Sequence, residues 1–250
     1  MKAFAKLFSA GLLALSVAQL AHAGTLHSIV LVHGAFADGS SWNRVIPKLQ
    51  AKNYEVIAVQ LPLTSLRDDV AATQRAIARA HGDVVLAGHS WGGTVITEAG
   101  NNKKVKALVY VAAFAPDKGQ STAELADSYP APPGSASLTK TNEGFLSLPP
   151  KALAQNFAPD LPAAQQRLLA VTQGPIRAAL FGEKVAEAAW AHKPVWYLVS
   201  TQDRMINPSL ERAMAQKIHA HTREVPASHV SMLSHPDSVA RIITAAVQAK

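Results

Sequence analysis

The chain has 250 residues, 48% of them hydrophobic and 16% charged, and it contains no cysteine. This is enough for one sizeable core, and the missing thiol excludes disulfides, a cysteine nucleophile and cysteine-based zinc sites. The formal charge of +7 is scattered, with Lys103, Lys104 and Lys106 its one tight group; spread in this way it favours solubility, and no nucleic-acid motif accompanies it.

Lys2 and Lys6 precede an uncharged apolar run from Leu7 to Leu20, and Ala21-His22-Ala23 follows as a small-x-small site. That pattern predicts a secretory signal peptide over residues 1–23, cut after Ala23, and an exported protein, periplasmic or secreted. The run is short for a bilayer anchor, and no membrane partner is expected after its removal. Residues 24–250 then form one domain.

The β-branched run Ser28 to Val32 predicts a strand that feeds the loop His33-Gly34-Ala35-Phe36. Trp42, Val45, Ile46 and Leu49 have helical spacing, with Ser40 or Ser41 as N-cap and Pro47 as an internal break. Tyr54 to Val59 is the next strand. Ser65 caps a helix through Val70, Thr73, Ile77 and Ala80, with Asp68 and Asp69 at its positive end. Asp83 to Ala87 is a strand, a helix follows to about Gly100, and Val105 to Val111 is a further strand. Strands and helices alternating at this spacing imply an α/β fold, a mostly parallel sheet flanked by helices.

The alternation breaks between about residues 116 and 193, where Pro and Gly recur and short helical patches such as 163–171 lie between the breaks. This stretch is expected to be a small helical cap inserted after the strand Val105–Val111, because Phe145, Leu146, Phe157, Leu168, Leu169, Phe181 and Trp190 require burial. The sheet resumes at Val195 to Val199. A helix from Asn207-Pro208 to about Ala220, a strand from Thr222 to Val225 and a helix opened by Pro236 complete the chain.

The chemistry centres on Gly88-His89-Ser90-Trp91-Gly92-Gly93, a Gly-x-Ser-x-Gly pattern between a strand and a helix. A serine on such a turn presents its hydroxyl above the sheet edge. To act as a nucleophile it needs a base, and the base needs an acid to hold its tautomer. In a parallel sheet these partners are expected just after later strands. Asp203 follows the strand Val195–Val199 and His229 follows Thr222–Val225, giving Ser90, Asp203 and His229 as candidate catalytic residues. His235 borders Pro236 and is expected to cap the last helix, and His33 to fix its own loop. His89 lies within the elbow, where adjacent side chains diverge. Asp127 and Asp160 fall in the cap, and Glu211 on a helix face. The amides of Trp91 and Ala35, with Phe36 as the fallback, are the expected oxyanion donors. Gly34 and the side chains of Phe36 and Trp91 are expected at the substrate pocket, with core packing the equal alternative for the two rings. The histidines lack metal-ligand spacing, so no metal is expected.

These residues, with Val30 to Phe36 and Trp42, resemble the α/β-hydrolase superfamily. The nearest likeness is to the small plant-type methylesterase and hydroxynitrile lyase group and its bacterial esterase relatives. The order Ser, Asp, His fits that fold. The resemblance implies a cofactor-free serine hydrolase of small carboxylic esters with an apolar pocket under a helical cap. The lyases of that group carry a lysine after the catalytic histidine and a threonine in the first loop, where this chain has Val230 and Gly34. Cyanohydrin cleavage or cofactor-free oxidative chemistry is therefore the weaker expectation. A ligand-binding protein that turns over negligibly is the alternative that an intact triad leaves open.

Overall fold

The computed structural model describes residues 28–249, and the expected signal peptide lies outside them. Six strands form one parallel sheet: β1 (Ser28–Val32), β2 (Glu55–Ala58), β3 (Val84–Ser90), β4 (Val105–Ala113), and, after an insertion, β8 (Val195–Ser200) and β9 (His221–Val225). Their order is β2-β1-β3-β4-β8-β9, with every neighbouring pair parallel. β1 and β3 are buried along their whole length, which is why both read as unbroken apolar runs rather than alternating ones.

The first crossover runs one way along the sheet and the later ones run the other. Right-handed connections therefore place the helices Leu66–Arg79 and Trp91–Ala99 on one face and Ile46–Gln50 on the other. The first two pack against each other, and the C-terminal helix Pro236–Gln248 joins Ile46–Gln50. Among the described residues no helix is long and apolar enough to cross a membrane.

Three helix boundaries differ from the expectation in instructive ways. Asp38, not Ser40 or Ser41, caps the first turn, because its Oδ1 accepts from the Ser40 amide at 2.6 Å. Pro47 stands in the first turn of Ile46–Gln50, where its missing N–H costs nothing, so it opens that helix instead of breaking it. His235 occupies the N-cap position of the last helix, but its Nδ1 pairs with Ser234 Oγ at 3.0 Å and makes no cap bond.

The segment between β4 and β8 is not wholly helical. It carries the helices Thr122–Ala126 and Ala163–Thr172, and also a three-stranded antiparallel sheet of β5 (Thr139–Lys140), β6 (Phe145–Ser147) and β7 (Ile176–Arg177). Strands of two or three residues are too short to show a period of two, which hid them in the sequence. Of the apolar residues expected to be buried there, Phe157 is, while Leu168 is 60% exposed. The helix Ala163–Thr172 buries no residue.

Candidate active site

Ser90 ends β3 and precedes the helix Trp91–Ala99 at φ 52°, ψ −121°, a left-handed conformation that a serine adopts only under strain. Two backbone approaches enforce it. A Cβ at Gly88 would lie 2.5 Å from the Gly92 carbonyl oxygen, and one at Gly92 would lie 2.6 Å from the Val32 oxygen. Strand, turn and helix pack too closely here for any side chain but hydrogen.

His229 sits in the loop after β9 and Asp203 in the loop after β8. His229 Nδ1 donates to Asp203 Oδ2 at 2.6 Å, and both side chains are almost wholly buried. Asp203 Oδ1 accepts from the amides of Met205 at 2.6 Å and Ile206 at 3.0 Å. These bonds commit the imidazole proton to Nδ1 and leave Nε2 as an acceptor. Ser90 and His229 face one cavity of about 490 Å³. Among the described residues Ser90 Oγ makes no hydrogen bond of its own.

The amides of Ala35 and Trp91 find no acceptor among the described residues, nor does that of Phe36. Phe36 itself stands at φ 58°. His33 ties this loop from beneath: its Nδ1 donates to Gly34 O at 2.8 Å and its Nε2 accepts from the Leu61 amide at 2.9 Å. Burial lowers the pKa of His33, which suits a ring that donates on one side and accepts on the other.

The cavity wall is mostly apolar. Phe36, Phe114, Tyr129, Leu138, Phe181 and Ile206 contribute to it, and among the described residues Asp127 is its one carboxylate. Phe36 faces the cavity. Trp91 does not: its ring is fully buried, lies edge-on to Phe181 at 5.5 Å and donates through Nε1 to Asp69 Oδ2 at 2.8 Å. Gly34 also lies behind the wall, where a Cβ would come within 2.7 Å of Ser90 Cβ. A wider groove of about 650 Å³ between β8, β9 and the C-terminal helix contains none of these residues.

Three buried groups beside the site take on roles beyond those expected of them. Asp69, expected only to face the helix dipole, is fully buried and accepts from Trp91 Nε1 and from the Leu63 amide. Burial raises its pKa to about 6 despite those two donors. Glu211 is fully buried, takes the Ser200 amide on Oε2 at 3.0 Å and leaves Oε1 without a partner. Burial first, and then the Asp203 charge, push its carboxyl well above the usual range. His89 turns away from Ser90, as a neighbour on a tight turn should, and its Nε2 donates to the His229 carbonyl at 2.9 Å. Its ring lies 4.6 Å from that of His229, and burial keeps its pKa well below the ordinary value. The signal for the carboxyls was available. Asp69 shares the buried helix face of Leu66, Thr73 and Ile77, and Glu211 that of Met214 and Ala215.

A strained serine at a strand–helix elbow, with an Asp–His pair on later strand ends, defines the α/β-hydrolase class of site. Residues 29–242 match the model of the alpha/beta hydrolase family, and the chain belongs to that family. It is 25% identical to a probable hydrolase R7 of a Phoma species, over 86% of this chain and 96% of that protein. It is also 25% identical to an alpha-hydroxynitrile lyase of Arabidopsis thaliana, over 87% and 97%. Among solved structures, a pyrethroid hydrolase superposes with a TM-score of 0.78 at 23% identity, covering 90% of this chain and 98% of that one. Polyneuridine aldehyde esterase superposes with a TM-score of 0.75 at 20% identity, covering 88% and 98%.

Proposed function

We propose that the protein is an exported serine esterase that cleaves small, largely apolar carboxylic esters. The observation that carries this reading is the buried 2.6 Å bond from His229 Nδ1 to Asp203 Oδ2, with His229 and Ser90 on one cavity. His229 Nε2 takes the Ser90 proton as Ser90 Oγ attacks the ester carbonyl, and Asp203 holds the imidazole and balances its charge. The amides of Ala35 and Trp91 receive the oxyanion. The alcohol leaves with the proton from His229, giving an acyl-enzyme on Ser90. Water, activated by the same imidazole, then releases the acid.

Relatives named as hydrolases and esterases support this direction. Two residues weigh against the lyase reading. Val230, directly after His229, is buried and apolar and brings no ammonium to a leaving cyanide. On this backbone the Gly34 position has no room for a threonine. The apolar wall favours uncharged esters, and no cofactor takes part in any step.

The test is turnover of short p-nitrophenyl esters by the wild type and by Ser90→Ala. The variant is expected to lose at least about 10⁴-fold in kcat. Wild-type turnover by Ser90→Ala refutes the nucleophile. A tight ligand with no product across a broad ester panel replaces the esterase with a binding protein. Cyanide release from mandelonitrile that rivals ester cleavage restores the lyase.

A further inference from the structure

We propose that one turn of the inserted segment, residues 153–160, is a clamp that sets the placement of His229 against Asp203, with Asp160 and Asn156 as positioning residues. The inference rests on the esterase reading for its kinetic consequence but not for its geometry.

The turn Leu153–Phe157 is π-helical and closes with the Ala158 amide on Leu153 O at 3.0 Å. The wider turn brings the successive side chains of Asn156 and Phe157 into the interior while Gln155 stays exposed. Each then meets a catalytic loop. Asn156 Oδ1 accepts from Arg204 Nε at 3.0 Å, and Arg204 directly follows Asp203. The Phe157 ring stands edge-on to the His229 imidazole at 5.3 Å.

Asp160, three residues on, grips the other loop at the residue before His229. Its Oδ2 accepts from the Ser228 amide at 2.9 Å and its Oδ1 from the Ser228 hydroxyl at 2.5 Å. The two loops are also joined to each other, by the Gln202 amide on Ala227 O at 3.1 Å. A single short turn thus fastens the residue after the acid and the residue before the base. Ser228 is buried, so both of its donors need acceptors, and beyond Asp160 the one other acceptor among the described residues is Phe157 O, 3.4 Å from the hydroxyl. A shift of about 1 Å in a positioned catalytic group costs on the order of 100-fold in rate. Loss of the clamp should therefore be felt in kcat while the cavity wall, and KM, stay nearly as they were.

The experiment uses two readouts on the full-length protein. One is the far-downfield proton resonance of His229 Nδ1–H, which reports the bond to Asp203 without any turnover. The other is kcat and KM for a p-nitrophenyl ester. Asp160→Ala is expected to broaden or shift that resonance and to lower kcat about tenfold or more, with KM within about twofold. Asp160→Asn, which keeps an acceptor for the Ser228 amide, is expected to recover part of both. A folded Asp160→Ala with the wild-type resonance and wild-type kcat overturns the clamp. If that variant does not fold, Ser228→Ala, which removes only the hydroxyl bond, decides in the same way. If the wild type shows no ester turnover, the esterase reading fails, and the resonance alone then decides the clamp.

Discussion

The elbow at Ser90 and the segment inserted between β4 and β8 meet at one cavity, but they are held by different forces. The elbow is packed backbone against backbone: β3 is paired on both sides, and its glycines leave no space for a methyl group. The inserted segment is held by side-chain hydrogen bonds and scattered buried side chains such as Leu148, Leu153, Phe157 and Ile176, and its helix Ala163–Thr172 leaves Leu168 and Val171 60% and 81% exposed. A tightly packed edge suits chemistry, which demands fixed atoms. A loosely packed cover suits specificity, since its residues can change without disturbing the sheet. The clamp at residues 153–160 is where the two regions depend on each other.

The largest expected effect lies on the rigid side. His229→Ala, like Ser90→Ala, should lower kcat by about 10⁴-fold or more with KM little changed, measured by steady-state ester hydrolysis. Next comes a pair of glycine substitutions. Gly92→Ala should cost about 3 kcal/mol of stability because its Cβ meets the Val32 oxygen, whereas Gly182→Ala in the inserted segment, where nothing lies within 4 Å, should fall within about 0.5 kcal/mol. Urea denaturation of both variants checks the contrast. Equal costs would break it.

Asp69 offers a pH-dependent version of the same comparison. Its folded pKa of about 6 lies above the ordinary aspartate value, so the neutral form is favoured by folding. Its contribution is fully present below the ordinary value and is lost as pH rises through about 6. The stability of Asp69→Asn relative to wild type should therefore improve by about 2 kcal/mol between pH 4 and pH 7. Taking the difference between two pH values cancels the fixed cost of offering an amide to the Trp91 and Leu63 donors. On the loose side, Phe181→Ala should raise KM for aromatic esters about tenfold with little change in stability. Leu168→Glu should change neither by more than about 0.5 kcal/mol, because that side chain already faces solvent.

What the sequence revealed divides along the same line. The elbow, the strand ends and the order of Ser90, Asp203 and His229 are local patterns: five apolar residues, a glycine-flanked serine, and polar residues just past later strands. The short strands β5, β6 and β7 are fixed instead by pairing across up to 30 or so residues, and a two-residue strand has no periodicity to read. Asp160 was set aside as a cap residue because nothing near it in sequence announces Ser228. For Trp91 the sequence offered the cavity wall, with core packing an equally open alternative. Its indole N–H found the buried carboxylate of Asp69 instead, and the ring went below the site.

The most direct test of the central claim is covalent trapping with an alkyl fluorophosphonate followed by peptide mapping. One phosphonyl group per chain is expected, carried by Ser90 and absent from the Ser90→Ala variant. A label on any other residue, or undiminished ester hydrolysis by protein fully labelled at Ser90, would contradict the account.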